Sequence, residues 1–433
     1  MNKKKTFFLK GAKIIDPVQD LEFFGNLLVR NGKIEQIGPD VIESEDIKVV
    51  DVSGLLVVPG LIDMHVHLRE PGEEYKETIE TGSMAAAAGG FTAIACMPNT
   101  NPPNDNSGIT RFIKERARTS GKCKVLPVAS ITRGQKGQGL TEFGDLIDAG
   151  AVAFSDDGLP VSNPAVMRLA LEYSLNFNTL IISHSEELAL SADGAMNEGA
   201  VSTRLGLKGI PAAAEEIAVF RDIRLAELTG ARIHIAHVST AGSVEIIRQA
   251  KARGVRVTAE TAPHYFSLTE KEVEGYNTLA KMNPPLRTER DRRAIIQGLQ
   301  DGTLDAIATD HAPHSSLEKE CEFQLAANGI IGLETSVAVG LETLVRQEGF
   351  TMAQLIRLMS SNPARILGIS GGSLAPGMDA DITVIDTEAS FTPARDNLFS
   401  KSCNSPYLGR KFKGRPVLTI LGGVPVFDKK GFF

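Results

Sequence analysis

Between about Pro59 and Ile369 the chain repeats one pattern: a short apolar run, a stretch with helical spacing, then another apolar run. Strands are predicted over 61–67, 92–97, 123–129, 152–155, 179–183, 232–237, 255–260 and 304–309, with helical patterns such as 215–228 and 243–253 between them. Strands that are apolar on both faces and alternate with helices belong to a parallel sheet covered on both sides. Eight such units fit an α/β fold of the (β/α)8 barrel type, whose active site lies at the C-terminal ends of the strands. A doubly wound open sheet is the runner-up, but no G-x-G-x-x-G follows the first strand.

The two ends of the chain have a different texture. Residues 26–30 and 33–38 are β-like and flank Asn31-Gly32, a strong hairpin signal. Alternating runs resume at 381–386 and 416–423. Neither end supplies enough strands for a stable sheet alone. The expected division is therefore a composite small β-domain, 1–58 with 371–433, around a barrel over 59–370.

Composition narrows the function classes. The net charge of -7 is mild, and no basic stripe with interleaved aromatics argues for nucleic acid. No apolar run approaches the ~20 residues of a membrane span. Lys3-Lys4-Lys5 lacks a following apolar segment and reads as a solvated N-terminus. Cys96, Cys123, Cys321 and Cys403 are scattered without C-x-x-C spacing, against a disulfide framework or zinc knuckle. A cytoplasmic enzyme acting on a small molecule, without nucleic-acid or membrane partners, fits these features. A homodimer is the expected assembly.

Polar residues punctuate the ends of the apolar runs. His65 and His67 close the first and share one face, because strand side chains alternate. Asn99 follows the second, Asp156-Asp157 the fourth, His184 the fifth, His237 the sixth and Asp310 the eighth. In a barrel these ends converge on one mouth, and imidazole with carboxylate is the ligand set of zinc or a similar ion. Four His and two Asp suffice for two ions sharing a bridging carboxylate. His234 and His237 are an odd number of positions apart, so they are expected on opposite faces, with His237 at the mouth and His234 packed. Alternation leaves open which of Asp156 and Asp157 points inward, and whether His264 acts directly or supports its neighbours.

Three motifs carry a family resemblance. Pro59-Gly60-Leu61-Ile62-Asp63-Met64-His65-Val66-His67-Leu68-Arg69-Glu70-Pro71-Gly72 resembles the signature of the cyclic amidohydrolases, and of the dihydroorotases among them. Met97-Pro98-Asn99-Thr100-Asn101-Pro102-Pro103 and Ala308-Thr309-Asp310-His311-Ala312-Pro313-His314 resemble two further dihydroorotase motifs, and the likeness runs on through Gly377-Met378-Asp379-Ala380-Asp381. The resemblance implies reversible cyclisation of N-carbamoyl-L-aspartate to L-dihydroorotate in pyrimidine synthesis, with one or two zinc ions per subunit. It implies that His65, His67 and Asp310 hold one ion, His184 and His237 the other, that Asp157 bridges, and that Asp310 is the catalytic base turned acid.

Around the substrate the resemblance sets Arg69, Asn99 and His314 at its carboxylate, with His67 alongside, and Asn283 and the backbone of Asn328-Gly329 at its ring. Arg suits a carboxylate because its planar fork donates two parallel bonds. The competing reading of Arg69 is a surface ion pair with Glu70 or Glu73. Many relatives, hydantoinases included, bridge their metals with a carboxylated lysine from the fourth strand. This chain has Ser155-Asp156-Asp157-Gly158 there, as in a bacterial dihydroorotase branch, which argues against an allantoinase or hydantoinase activity. An inactive scaffold for aspartate transcarbamoylase would typically lose metal-binding histidines, and every candidate is kept. Association of an active chain with a transcarbamoylase stays open.

Overall fold

A computed structural model of the chain describes residues 5–43 and 47–433, so Lys3 and Lys4 of the basic run lie outside the described residues. β1 (Phe7–Asp16), β2 (Leu21–Arg30) and β3 (Lys33–Gly38) form an antiparallel meander. Asn31 and Gly32, between β2 and β3, both have positive φ (54° and 79°), the pairing a tight right-twisted hairpin turn requires. β4 (Lys48–Asp51) and β5 (Leu56–Pro59) run parallel to β1.

Gly60 alone separates β5 from β6 (Leu61–Val66). A Cβ there would stand 2.2 Å from Thr92 Oγ1, so only glycine lets the chain pass from the small sheet into the barrel. β7 (Phe91–Cys96), β8 (Lys124–Ala129), β9 (Ala153–Ser155) and β10 (Ile181–Ser183) follow in order. A two-stranded aside, β11 (Met196–Asn197) with β12 (Gly209–Ile210), precedes β13 (Ile233–Ile235), β14 (Val257–Thr261) and β15 (Ala306–Ile307). β6 to β10 and β13 to β15 form one parallel eight-stranded sheet in sequence order, with helices in the connections. It nearly closes: Val66 bridges His311 in parallel sense, and His67 N–H donates to the His311 carbonyl at 2.8 Å.

The barrel interior is filled by apolar side chains, many of them alanine, among them Ile62, Met64, Ala93, Ala95, Val128, Ala153, Ile182, Ala236, Ala306 and Ala308. Leu61, Phe91, Ile94, Phe154, Ile181, Ile233 and Ile235 belong to the larger layer beneath the helices. β6 breaks strict alternation. From Ile62 and Met64 the next inward positions would be 66 and 68, yet Val66 and Leu68 join the outer layer. The β6–β7 ladder shifts register between Asp63 and Val66, and this irregularity turns His65 and His67 inward.

β16 (Ile382–Phe391), β17 (Phe412–Leu421) and β18 (Val424–Asp428) return to the first sheet, giving the order β18-β17-β16-β5-β1-β2-β3 with β4 beside β1. Its core joins residues from both ends of the chain, such as Phe7, Leu9, Leu27 and Val29 with Ile382, Val384, Leu418 and Ile420. Among the described residues no helix is long and apolar enough to cross a membrane.

Candidate metal centre and substrate pocket

The strand parities place the candidate ligating groups. Asn99 continues the inward series of Ala93, Ala95 and Met97; Asp157 that of Ala153; His184 that of Ile182; and Asp310 that of Ala306 and Ala308. His65 Nε2 lies 3.3 Å from Asp157 Oδ1 and 3.6 Å from Asp310 Oδ1. His67 Nε2 is 3.5 Å from Asp157 Oδ2 and 3.1 Å from Asp310 Oδ1. His184 Nδ1 and His237 Nε2 stand 3.5 and 3.6 Å from Asp157 Oδ1. Asp157 thus sits among all four imidazoles. Asp156 turns away and takes the N–H groups of Ile131 (2.8 Å) and Thr132 (3.1 Å) and the Thr132 hydroxyl.

These residues fit a metal. His65, Asp157 and His237 form one set with ligand atoms within 4.8 Å of one another, and His65, His67 and Asp310 form a second. His65 Nε2 and Asp157 Oδ1 are buried and lack a hydrogen bond of good geometry, the arrangement of lone pairs aimed at a common point. Imidazole nitrogen and carboxylate oxygen suit zinc and similar divalent ions.

Outer partners hold three of the four rings by the nitrogen remote from the cluster. His65 Nδ1 lies 2.9 Å from Glu260 Oε1, His67 Nδ1 2.8 Å from Asn99 Oδ1, and His184 Nε2 3.1 Å from Glu186 Oε2. A proton on that remote nitrogen leaves the other one free to ligate. Burial opposes the charge of Glu260, but His234 and His65 hold its carboxyl down at about 2. Glu186 is likewise held at about 2 against burial, first by His184. Burial also opposes ionisation of Asp310, whose carboxyl nevertheless stays below the usual range through His67 and His65.

Sequence reasoning missed Glu186 and Glu260. The same signal that found the others was available for Glu260, which ends the seventh predicted strand. Glu186 lies two residues past His184 and also accepts from Asn283 Nδ2 at 3.0 Å.

The expected opposition of His234 and His237 does not hold. His234 faces the barrel interior with Ala236, near Thr258 Oγ1 (2.8 Å) and Glu260 Oε2 (3.3 Å). His237 lies beyond the end of β13 with φ 33°, and this left-handed backbone brings it inward as well. Arg69 (φ 60°) and Asp310 (φ 47°) are also left-handed, a conformation that costs roughly 1–3 kcal/mol where a non-glycine residue adopts it. His264 is buried in the short helix Pro263–Ser267, and burial lowers its imidazole to about 4. It does not line the pocket.

Beside the cluster opens a cavity of about 220 Å³ lined by His67, Arg69, Asn99, Asp157, His184, His237, Asn283, Asp310, His314, Asn328 and Gly329, together with Gly158 and Ala312. His65 lies beneath them, fully buried. Arg69 is only 8% exposed and is no surface pair: Glu70 bonds Arg116 at 2.6 Å, and Glu73 stands 4.0 Å from Arg69. Arg69 Nε donates to the Pro313 carbonyl at 3.2 Å, and its Nη2 lies 3.3 Å from His314 Nε2. Burial lowers its pKa, against the charges of Glu73, Asp310 and Asp157, which favour the cation. Gly329 lines the cavity with its N–H donated to the Lys281 carbonyl at 3.0 Å and its carbonyl accepting from Asn404 and Lys319, each at 3.1 Å. Among the described residues Asn328 keeps its backbone groups open and can offer them to a ligand.

A nearly closed parallel barrel with four histidines and two aspartates at its mouth, a set that could hold a metal, is the fold and site of an amidohydrolase. Residues 54–243 match the family model described as "Dihydro-orotase-like", and residues 228–427 the model "Amidohydrolase family". The chain is 56% identical to the dihydroorotase of Geotalea daltonii, covering 98% of this chain and 99% of that one. It is 55% identical to the dihydroorotase of Geobacter metallireducens, covering 97% and 99%. Among solved structures it resembles the L-hydantoinase of Arthrobacter aurescens, with TM-score 0.87 and 26% identity over 98% of this chain and 96% of that one. A D-hydantoinase at 23% identity, TM-score 0.86, covering 99% and 96%, shares the fold. The chain belongs to the dihydroorotase family.

Proposed function

We propose that the protein is a zinc-dependent dihydroorotase, interconverting N-carbamoyl-L-aspartate and L-dihydroorotate in pyrimidine synthesis in the cytoplasm. The observation that carries this reading is one cavity joining the histidine–aspartate cluster to the buried guanidinium of Arg69. His65, His67 and Asp310 would hold one ion, His184 and His237 a second, with Asp157 between them. When bound, such an ion supplies a hydroxide nucleophile near neutral pH and polarises the amide carbonyl.

The remaining roles fall to the chain itself. Asp310, ionised at neutral pH, accepts the nucleophile's proton and returns it to the departing ring nitrogen. Arg69 pairs with the substrate carboxylate, and His314 lines the same side. Asn99 Oδ1 is committed to His67, so its amide N–H2, beside Gly158, is the part that reaches the substrate. Asn283 and the open backbone of Asn328 hold the ring. The hydantoinase alternative loses ground on Ser155-Asp156-Asp157-Gly158, which offers no lysine to carboxylate. We also read 1–58 with 371–433 as one β-domain and 59–370 as the catalytic barrel.

Kinetics and metal analysis on the purified chain test the reading. Hydrogen bonds to charged groups contribute about 1.5–3 kcal/mol, and about 1.36 kcal/mol is tenfold in rate. Arg69→Ala should therefore lower kcat/KM for dihydroorotate by roughly 10- to 100-fold, with metal content unchanged and little loss on dihydrouracil, which lacks the carboxylate. Equal losses on both substrates would show that Arg69 does not read the carboxylate.

A further inference from the structure

The pocket segments 312–314 and 327–331 lie beyond the end of β15, and their direct backbone tie to each other is Ala312 N–H to the Ile330 carbonyl at 2.8 Å. A residue from outside the barrel holds them. Asn404, in the connection between β16 and β17, is 3% exposed and uses both ends of its amide. Its Oδ1 accepts from His314 N–H at 3.0 Å, while Nδ2 donates to the carbonyls of Ala312 (3.0 Å) and Gly329 (3.1 Å). Its own carbonyl accepts from Ile331 N–H at 3.0 Å. Two acceptors on one side and a donor on the other leave one amide orientation, and only an amide satisfies all three partners.

We infer that Asn404 is a positioning residue for the carboxylate-reading side of the pocket, acting through the 312–314 segment on Arg69. Asn404 does not line the cavity. Arg69, however, is itself steered by that segment, through the Pro313 carbonyl and His314 Nε2. Lys319 braces the opposite side, donating to the carbonyls of Ala327 (2.8 Å), Lys281 (3.1 Å) and Gly329 (3.1 Å), so the Gly329 carbonyl is gripped from both directions. The small sheet's polypeptide thereby completes a specificity element the barrel does not hold alone. This inference rests on the reading of Arg69 given above.

The test compares Asn404→Asp and Asn404→Ala with wild type, all metal-loaded. Asp keeps the shape but presents oxygen to two carbonyls that need donors. In both variants KM for dihydroorotate should rise about tenfold, with kcat and metal content within about twofold of wild type. In an Arg69→Ala background the same changes should raise KM less than about twofold, because coupled residues are not additive. A fall in kcat at unchanged KM, loss of metal, or an undiminished effect in the Arg69→Ala background overturns the inference. Hydrogen exchange of the His314 amide, which bonds the Asn404 side chain, is a readout independent of substrate, and it should be faster in Asn404→Ala. Unchanged exchange refutes the clamp even if wild type proves inactive on dihydroorotate, an outcome that would itself refute the proposed function.

Discussion

At the scale of single residues, the adjacent pair Asp156 and Asp157 shows how little chemistry a residue type carries by itself. Both are buried carboxylates, yet burial pushes Asp156 up to about 6, against its bonds from Thr132 and Ile131. Asp157 is held well below its ordinary value despite burial, first by His65. One braces a loop and the other sits among imidazoles. Asp157→Ala should lower metal per chain while the barrel stays folded. Asp156→Ala should keep metal but destabilise, since orphaning buried donors costs roughly 1–3 kcal/mol each. Metal analysis and urea unfolding of the two variants check this, and the opposite ranking in metal content would reverse the assignment. Strand parity could have separated the pair, because Asp157 lies in phase with Ala153. That phase was not legible without knowing that Ala153 faces inward.

At the scale of elements, period-2 reasoning located the strands but failed where backbone departs from regularity. The register shift in β6 and the left-handed residue after β13 both bring histidines inward that strict alternation sends elsewhere. β14 then ties these strands together: Glu260 lies 2.9 Å from His65 Nδ1 and 3.3 Å from His234 Nε2. Removing the charge of a carboxylate that orients a ligand typically weakens metal binding by about 10- to 100-fold. Glu260→Gln should do so while retaining the fold, as chelator competition and circular dichroism would measure. Unchanged metal affinity would mean that His65 is oriented by packing alone.

At the scale of the whole molecule, the connection between β16 and β17 is fastened to the barrel by buried carboxylates. Glu334 accepts from the N–H groups of Phe399 (2.8 Å) and Ser400 (3.1 Å), and burial raises its carboxyl from 4.5 to about 7. Between those values the folded chain holds a proton the unfolded chain has released, so this group's contribution to stability falls as pH rises from about 4.5 to 7. A shift of that size corresponds to about 3 kcal/mol at most. Glu334→Gln should flatten the pH dependence of unfolding free energy across that window, and gain on wild type above pH 7 relative to pH 4.5. Parallel curves for the two proteins would show that Glu334 is not titrating there.

The sequence by itself determined the barrel, because eight doubly apolar strands alternating with helices have few ways to bury their surface. It also pointed to the cluster of candidate ligands, since His and Asp at strand ends must meet where a parallel barrel's strands end together. Tertiary structure alone decided how the ligands are aimed and how the pocket is held. Those outcomes depend on a register shift, on left-handed φ values, and on Glu186, Glu260, Lys319 and Asn404. Local pattern cannot display a hydrogen bond such as that from His314 N–H to Asn404, whose partners lie 90 residues apart in the chain.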